Sequence, residues 1–370
     1  MRRGWYIFTT AGKTHNPNKG WCSMYKHVLI TGGTGFVGFH LAERLLQEGI
    51  DVYLLDLDDF CCRLEYGSRL MGEAEQGRLH FLPGNLLDAP LEVPPQIDAV
   101  IHLAAWPHVD FSMHYPGLVV HNNVTSTQRL LHLCGDRGLP ILVTSSVEVY
   151  GGDQGRIYAE TASYKPYSPY AASKVSCEVL TQTYIQCFGI RAKLIRLTNL
   201  YGPWQAPDRI IPRNMGRLID GVPLDIQGRV VRDFVYVTDA AEAIWTVMKH
   251  GRWGEIYNIS SGIGTDMQSV GRQMSRLGGE TPEVELHTQE PTPSRGSSLV
   301  IDPAKIGTEL GWKASVSLEE GLERTYRWYL QHAEWARAFR PQYLTERRGR
   351  EFIVDEARMP AKSSAGLETA

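Results

Sequence analysis

The 370-residue sequence lacks the features that mark membrane, secreted and nucleic-acid-binding proteins. No apolar run is long enough to span a bilayer, and Arg2-Arg3 at the N-terminus is not followed by the apolar core of a signal peptide. The formal net charge is only −3, which gives no electrostatic reason to expect nucleic acid or an acidic membrane. We therefore expect neither a membrane nor a nucleic-acid partner.

Cysteine is also scarce and shows no motif. The six cysteines are scattered along the chain, and none of them has the CxxC spacing of a metal site. Reduced thiols in a cytoplasmic enzyme that binds no metal are the simplest interpretation of this pattern.

The pattern that is present is an alternation of short apolar segments with helix-length segments, beginning at Met24. Because the apolar segments are continuous, they predict strands of a parallel sheet with helices on both faces. The fold class is therefore α/β, a doubly wound parallel sheet of the Rossmann type, which binds ligands at the carboxyl ends of its strands. The predicted strands are Val28–Thr31, Val52–Asp56, Leu79–Pro83, Ala99–Leu103, Ile141–Ser145 and Ala192–Leu197.

Composition also suggests how the chain is divided. Residues 1–23 are polar without sustained periodicity and predict a disordered leader, and the charged residues 336–370 predict a mobile tail. The remaining boundaries that we expect are a nucleotide-binding domain at 24–200 with a returning segment at about 233–262, and a smaller C-terminal substrate-binding lobe at 201–232 and 263–335.

A glycine-rich turn follows the first predicted strand. Gly32, Gly35 and Gly38 open a helical pattern, and glycines in this position let the backbone and the N–H groups of a helix start approach a pyrophosphate. Asp56 ends the second predicted strand, where a carboxylate would accept hydrogen bonds from the adenine ribose and repel a 2′-phosphate. Together these features predict NAD as the cofactor. The alternative is a plain strand-turn-helix with a capping Asp.

Further candidate cofactor contacts lie in the first helical turn and at the ends of the third and fourth predicted strands. A polar side chain after the third strand can reach the adenine edge, and small residues after the fourth let the backbone lie against the cofactor. Each could equally be ordinary turn chemistry. These candidates are Phe36, Val37, Asn85, Leu86, Leu103, Ala104 and Ala105.

The candidate catalytic residues lie at a strand end and at a helix start. Ser146 and Glu148 follow an apolar strand, whereas Tyr170 and Lys174 are four residues apart and therefore share a helix face. A nearby ammonium and a positive nicotinamide ring would both favour the phenolate, so Tyr170 could act as a base near neutral pH while Ser146 shares the proton. The alternative is an exposed Tyr/Lys pair on a surface helix.

Taken in order, these motifs resemble the extended short-chain dehydrogenase/reductase family, specifically its NAD-dependent sugar-nucleotide epimerases and dehydratases. The resemblance extends from about Met24 to Tyr329. Its motifs are the three glycines, Asp56, His102–Ala105, Asn123, Thr144–Gly151, Tyr170 with Lys174, Arg196–Pro203 and Arg232–Asp239.

The resemblance implies that NAD is held tightly and that the smaller lobe grips a nucleotide diphosphate sugar. Tyr170 would deprotonate a sugar hydroxyl, usually at C4, while Ser146 assists. Lys174 would hold the nicotinamide ribose, and Asn123 would contribute to the cofactor site. The resemblance also implies that helices between the strands could pair with a second subunit in a homodimer.

Four residues are candidates for binding the substrate. Asn199 and Arg232 match positions that bind the diphosphate in the family, where an Arg fork meets two phosphate oxygens. Arg209 lies in an irregular segment that we expect to face the substrate. Relatives often carry paired arginines where this chain has Ser297-Ser298, and Arg295 could replace them.

Two positions decide the chemistry within the family. Glu148 matches the carboxylate that takes the C5 proton in dehydratases, but 4,6-dehydratases place an acidic Asp before it, and here that residue is Val147. Without this acid, the simplest chemistry is C4 epimerisation through a 4-keto intermediate, with Glu148 as a hydrogen-bonding partner. The alternative is a dehydratase or decarboxylase that uses Glu148 as base. More distant alternatives are a simple ketone/alcohol oxidoreductase of the same fold and a non-catalytic NAD-binding protein.

Overall fold

The computed structural model describes residues 25–57, 76–88, 91–152, 155–227, 230–278, 284–287, 298–338, 344–348 and 351–354. The candidate Arg295, the predicted leader and much of the predicted tail lie outside these described residues.

The strands are short, and most of the longer ones belong to one sheet. In chain order they are β1 His27–Thr31, β2 Asp51–Asp56, β3 Leu79–Pro83, β4 Ala99–His102, β5 Ile141–Ser146, β6 Ile157–Tyr158, β7 Ala192–Leu197, β8 Asn199–Tyr201, β9 Leu224–Gln227, β10 Val231–Arg232, β11 Phe234–Tyr236, β12 Ile256–Ile259, β13 Thr265–Asp266, β14 Val284–His287, β15 Val300–Ile301, β16 Leu344–Arg348 and β17 Glu351–Val354.

Helices connect most of these strands. They are α1 Phe36–Gln47, α2 Val109–His114, α3 Pro116–Val120, α4 Ser126–Arg137, α5 Pro169–Phe188, α6 Ile210–Ile219, α7 Val237–His250, α8 Met267–Leu277, α9 Ala304–Leu310, α10 Leu318–Gln331 and α11 Ala333–Ala338. A π-helical turn at His121–Thr125 joins α3 to α4, and a 3₁₀ turn at Val147–Tyr150 follows β5. None of the helices within the described ranges is long and apolar enough to cross a membrane.

The central sheet has seven parallel strands in the order β12-β7-β5-β4-β1-β2-β3. Successive strands run outward from β1 in one direction through β3, and the chain then returns to β4 and continues in the other direction. This reversal beside β1 is the place where such sheets form a ligand crevice. The predicted α/β fold with a doubly wound parallel sheet is confirmed.

Both faces of the sheet are buried, as the continuous apolar strands require. Val28 and Ile30 pack with α1 and α7 on one face, whereas Leu29 packs with α4 on the other. This alternation follows from the two-residue period of a strand. A third apolar cluster joins α6, α8 and α10, and contains the buried residues Ile211, Met274 and Leu322.

The predicted and observed elements agree closely where the residues of a single segment determine its conformation. Helix α5 has the predicted bounds, and each of the six predicted strands is within one residue of its predicted ends. The helix expected at Asn123–Arg137 differs, because the chain begins this stretch as the π-helical turn and becomes α-helical only at Ser126.

Candidate active site

The glycine turn joins β1 to α1 and lies against the end of β4. Gly32 has a φ of +69°, and a Cβ there would lie 2.7 Å from the backbone nitrogen of Ala104. A Cβ at Gly38 would lie 2.4 Å from the carbonyl oxygen of Gly32. Both positions therefore require glycine, and the close approach leaves the start of α1, at Gly35, directed at the crevice.

Asp56 holds the glycine turn through Thr34. Its Oδ2 accepts hydrogen bonds from the Thr34 backbone N–H at 3.1 Å and the Thr34 hydroxyl at 2.8 Å, and its Oδ1 accepts one from Leu57 N–H at 2.9 Å. Burial raises the pKa of this carboxyl group, against the effect of those hydrogen bonds. A carboxylate offers about four acceptor positions, so Oδ1 retains room for a ribose hydroxyl. The turn and Asp56 thus fit a dinucleotide.

The other cofactor candidates lie around the same turn. The amide oxygen of Asn85 accepts a hydrogen bond from Leu87 N–H at 2.9 Å, which shapes the loop after β3. Leu103 N–H donates to the Thr31 carbonyl at 3.0 Å, which brings the end of β4 beside the glycine turn. Direct cofactor contact by the following residues stays a prediction: Phe36, Val37, Asn85, Leu86, Leu103, Ala104 and Ala105.

Asn123 joins the loop after β4 to the helix that carries Tyr170. Its side chain is buried, its Oδ1 accepts from Trp106 N–H at 2.8 Å, and its Nδ2 donates to the Trp106 carbonyl at 3.2 Å and to Ser173 Oγ at 3.0 Å. Asn123 therefore fixes the distance between two walls of the site. Its direct contact with the cofactor stays a prediction.

Sequence reasoning gave no role to the side chain of His102. This buried imidazole hydrogen bonds through Nδ1 with Thr31 Oγ1 at 2.7 Å and through Nε2 with Thr127 Oγ1 at 3.0 Å. Burial and, to a smaller extent, the positive charge of Lys174 lower the pKa of His102 to about 3. The neutral ring ties β1 and β4 to α4. The signal that could have indicated this role of His102 is a polar residue at the end of a buried strand.

Helix α5 places Tyr170 and Lys174 inside the protein. Its N-cap, Ser168, accepts a hydrogen bond from Ala171 N–H at 3.1 Å, and Pro169 occupies the first turn. Tyr170 is 7% exposed and Lys174 is 5% exposed. Lys174 Nζ donates to the Thr144 carbonyl at 2.9 Å. Burial excludes the alternative of an exposed surface pair.

The electrostatics of Tyr170 differ from our expectation. Burial raises its pKa to about 12, and the negative charge of Glu148 adds to this rise. The hydrogen bond with Ser146 and the positive charge of Arg209 act in the opposite direction. The protein by itself thus keeps the phenol protonated, because burial outweighs the charges near it. The lowering of the Tyr170 pKa that we expect therefore requires the positive charge of a bound nicotinamide ring.

The 3₁₀ turn after β5 separates the side chains of Val147 and Glu148. Ser146 Oγ accepts a hydrogen bond from Glu148 N–H at 3.2 Å, which fixes the turn. Val147 is buried in an apolar cluster with Tyr150 and Tyr158. Glu148 is half-buried and lies close enough to Tyr170 for its charge to act on the phenol. The charge of Glu148 therefore acts on the candidate base Tyr170, and the position before it belongs to the core.

Two of the candidate substrate residues come from neighbouring short strands. Asn199 Nδ2 donates to the carbonyl of Asp233 at 3.0 Å, which places Asn199 beside the residue that follows Arg232. The Asp233 carboxylate accepts hydrogen bonds from the N–H and hydroxyl of Ser261 and from Gly262 N–H. Asp233 thus holds the loop after β12.

Arg209 precedes α6 and extends toward the catalytic residues. Its Nη2 donates to the Pro107 carbonyl at 3.3 Å, and its charge lowers the pKa of Tyr170. At Ser298, where relatives often carry arginine, the hydroxyl accepts a hydrogen bond from Val231 N–H at 3.0 Å and so supports the strand of Arg232. The roles of Asn199, Arg209 and Arg232 toward a substrate stay predictions.

The amino-acid sequence of the chain matches known proteins. The model of the NAD dependent epimerase/dehydratase family matches residues 28–260. A dTDP-glucose 4,6-dehydratase of Xanthomonas campestris pv. campestris is 32% identical over 335 residues, which cover 83% of this chain and 94% of that protein.

Solved structures give the same result. The dTDP-glucose 4,6-dehydratase DesIV of Streptomyces venezuelae, solved with NAD bound, has a TM-score of 0.77 and 31% identity, and the match covers 84% of this chain and 98% of that chain. A UDP-glucuronic acid 4-epimerase of Bacillus cereus, solved with UDP-glucuronic acid and NAD, has a TM-score of 0.75 and 28% identity, with coverage of 83% and 99%.

Proposed function

The chain belongs to the NAD dependent epimerase/dehydratase family, and on that premise we propose that it dehydrates a nucleotide diphosphate sugar through a 4-keto intermediate. The observation that carries the proposal is Glu148 itself, whose backbone N–H is fixed by Ser146 Oγ at 3.2 Å and whose charge acts on the Tyr170 phenol. The similarity to 4,6-dehydratases in sequence and structure supports it as well. Dehydration replaces C4 epimerisation, which is the reaction that the absence of an acid at Val147 predicts.

The first half of the reaction uses the residues of α5 and β5. Bound NAD would be the oxidant, accepting a hydride from the sugar C4 carbon. Tyr170 takes the proton of the C4 hydroxyl, and Ser146, which hydrogen bonds with the phenol, holds that hydroxyl in place. Lys174 is fixed by the Thr144 carbonyl one helical turn from Tyr170. We expect its ammonium to bind the nicotinamide ribose.

The second half uses Glu148. A ketone at C4 makes the neighbouring C5 proton acidic, so a carboxylate near the same carbon can remove it. The backbone N–H of Glu148 donates to Ser146 Oγ at 3.2 Å, and its charge acts on Tyr170, which supports this role. Removal of the C5 proton prepares the loss of the C6 hydroxyl as water, which leaves a C5=C6 bond next to the C4 ketone. The hydride taken from C4 would then return from the cofactor to C6, and a proton from solvent would add to C5, so that the cofactor is reoxidised.

C4 epimerisation is the second candidate. The same fold and the same Tyr170 would serve it, and the similarity to a UDP-glucuronic acid 4-epimerase favours it. Glu148 would then be a hydrogen-bonding partner of the sugar. A decarboxylase would use Glu148 to return a proton to C5.

Incubation with a panel of nucleotide sugars in deuterated water distinguishes the three reactions. We expect loss of one water, with deuterium at C5, when products are analysed by mass spectrometry and proton NMR. Glu148→Gln should abolish both the loss of water and the entry of deuterium. Glu319 is exposed, so Glu319→Gln is the matched control and should retain both. A product of unchanged mass, inverted at C4 and free of carbon-bound deuterium, would contradict dehydration, and loss of carbon dioxide would indicate a decarboxylase.

The assembly and the domain boundaries remain proposals. A homodimer is expected from the family resemblance, and light scattering of the purified protein measures it directly. A single monomeric mass over a wide concentration range would refute it.

A further inference from the structure

Elimination of the C6 hydroxyl requires a proton donor, because hydroxide is a poor leaving group. The side chain before Glu148 is the alkyl group of Val147, which is 2% exposed and packs in the apolar cluster with Tyr150 and Tyr158. It has no proton to give. An acid for this step must therefore come from another element of the site.

A His–Asp pair lies on the two loops that lead into α2 and α6. His108 Nε2 is 3.5 Å from Asp208 Oδ2, and the two side chains are only 18% and 13% exposed. Asp208 Oδ1 is buried and makes no hydrogen bond within the described part of the chain. A buried carboxylate oxygen without a donor is costly, so Oδ1 is available to accept a hydrogen bond from a bound ligand or a water molecule.

The pair borders the space in front of Tyr170. Arg209, the residue after Asp208, carries a charge that lowers the pKa of both Tyr170 and His108, so its guanidinium lies near both side chains. Val109, the residue after His108, packs in the apolar cluster that contains the Tyr170 ring. The loop that carries His108 therefore packs against helix α5 at Tyr170.

We propose that the His108–Asp208 pair is the proton donor for the departing C6 hydroxyl, in place of the acid that Val147 cannot provide. The proposal rests on the proposed dehydration. Glu148 removes the C5 proton, the C5–H electrons form the C5=C6 bond, and the C6–O bond breaks. The departing oxygen takes the proton held by the pair, which yields water, and the pair regains a proton from solvent.

Arg209 links the protonation of the pair to the presence of substrate. Burial and then the charge of Arg209 lower the pKa of His108 to about 4, whereas Asp208 raises it. An anionic sugar nucleotide that neutralises Arg209 removes one of the two effects that disfavour the imidazolium. Substrate binding therefore shifts the pKa of His108 upward, in the direction that favours a proton on the imidazole.

The test separates proton removal at C5 from loss of water. In deuterated water, His108→Gln should reduce water loss by about 10²-fold or more, while deuterium still enters C5 of the recovered sugar through Glu148. Asp208→Asn should show the same separation to a smaller degree. The exposed His114→Gln on α2 is the matched control and should keep wild-type water loss. Thermal unfolding and NAD titration show whether the variants are folded.

A substrate analogue with fluorine at C6 provides the second measurement. Fluoride leaves with less need of a proton, so elimination from the analogue should be restored in His108→Gln to within about tenfold of the wild-type rate, in keeping with the size of a general-acid contribution. A purely structural role of His108 would give no such rescue.

Each result has a consequence. Equal water loss in His108→Gln and wild type overturns the proton-donor role and leaves the proposed dehydration intact. Joint loss of exchange and elimination without fluoride rescue indicates a structural role and also overturns it. A wild-type enzyme that only epimerises or decarboxylates overturns the proposed function and the donor role together.

Discussion

Replacement of Gly38 by alanine should destabilise the protein where the glycine turn meets α1. The new Cβ would lie 2.4 Å from the Gly32 carbonyl oxygen and 2.7 Å from Gly33 Cα, where ordinary contact begins near 3.4 Å. Backbone atoms must therefore move apart by about 1 Å. Such overpacking costs about 3 kcal/mol, and the better helix propensity of alanine returns about 1 kcal/mol. The net loss is about 2 kcal/mol, or about 3 °C in Tm for a chain of this length.

Gly35→Ala is the control. Gly35 has a φ of −72°, and its Cβ would meet only the Gly32 carbonyl oxygen, at 3.2 Å. Without NAD, calorimetry should show a lowered Tm for Gly38→Ala. For Gly35→Ala the Tm should stay within about 1 °C of wild type, because the stabilisation that alanine brings and the cost of the one close contact nearly cancel. Equal shifts in the two variants would refute the packing explanation.

Three further predictions concern the cofactor and the catalytic residues. Tyr170→Phe should reduce turnover at least about 10³-fold with NAD still bound, since the phenol moves a proton and does not anchor the cofactor; an active variant in a product assay would rule this out. Asp56→Ala should weaken NAD by about tenfold or more and the sugar nucleotide much less, as measured by calorimetric titration; equal losses would indicate that Asp56 serves only Thr34. Because His102 has a folded-state pKa of about 3, below its ordinary 6.5, its contribution to stability is complete above pH 6.5 and is lost as pH falls toward 3. Wild type should therefore lose unfolding free energy on acidification more steeply than His102→Asn, and parallel pH curves would contradict the burial effect.

Much of the nucleotide-binding half could be predicted because its signals are local. The glycine turn, the apolar strands and the Ser168-Pro169 helix start each determine their own conformation within a few residues. The position of Tyr170 relative to Lys174 follows from helix geometry alone. These features required no knowledge of distant contacts.

The rest of the site depends on residues that are far apart in the chain. The contact between His108 and Asp208 spans about 100 positions, and Asn123 reaches both Trp106 and Ser173. No spacing rule predicts such pairs. The pKa of Tyr170 without cofactor could not be predicted for a related reason, because charges can be counted in a sequence but burial cannot.

The conformation of Trp204 has a consequence for the biosynthesis of the enzyme. This residue has a φ of +66°, its ring lies 4.6 Å from that of Trp328 and 5.8 Å from that of Trp335, and the Tyr329 hydroxyl donates to the neighbouring Gln205 carbonyl. A strained backbone of this kind persists only when its surroundings hold it. The loop that carries Asp208 and Arg209 is therefore secured by helices synthesised more than a hundred residues later. On the ribosome, we expect the dinucleotide site to form early, and the loop that carries Asp208 and Arg209 to reach its final conformation only after the last helices emerge.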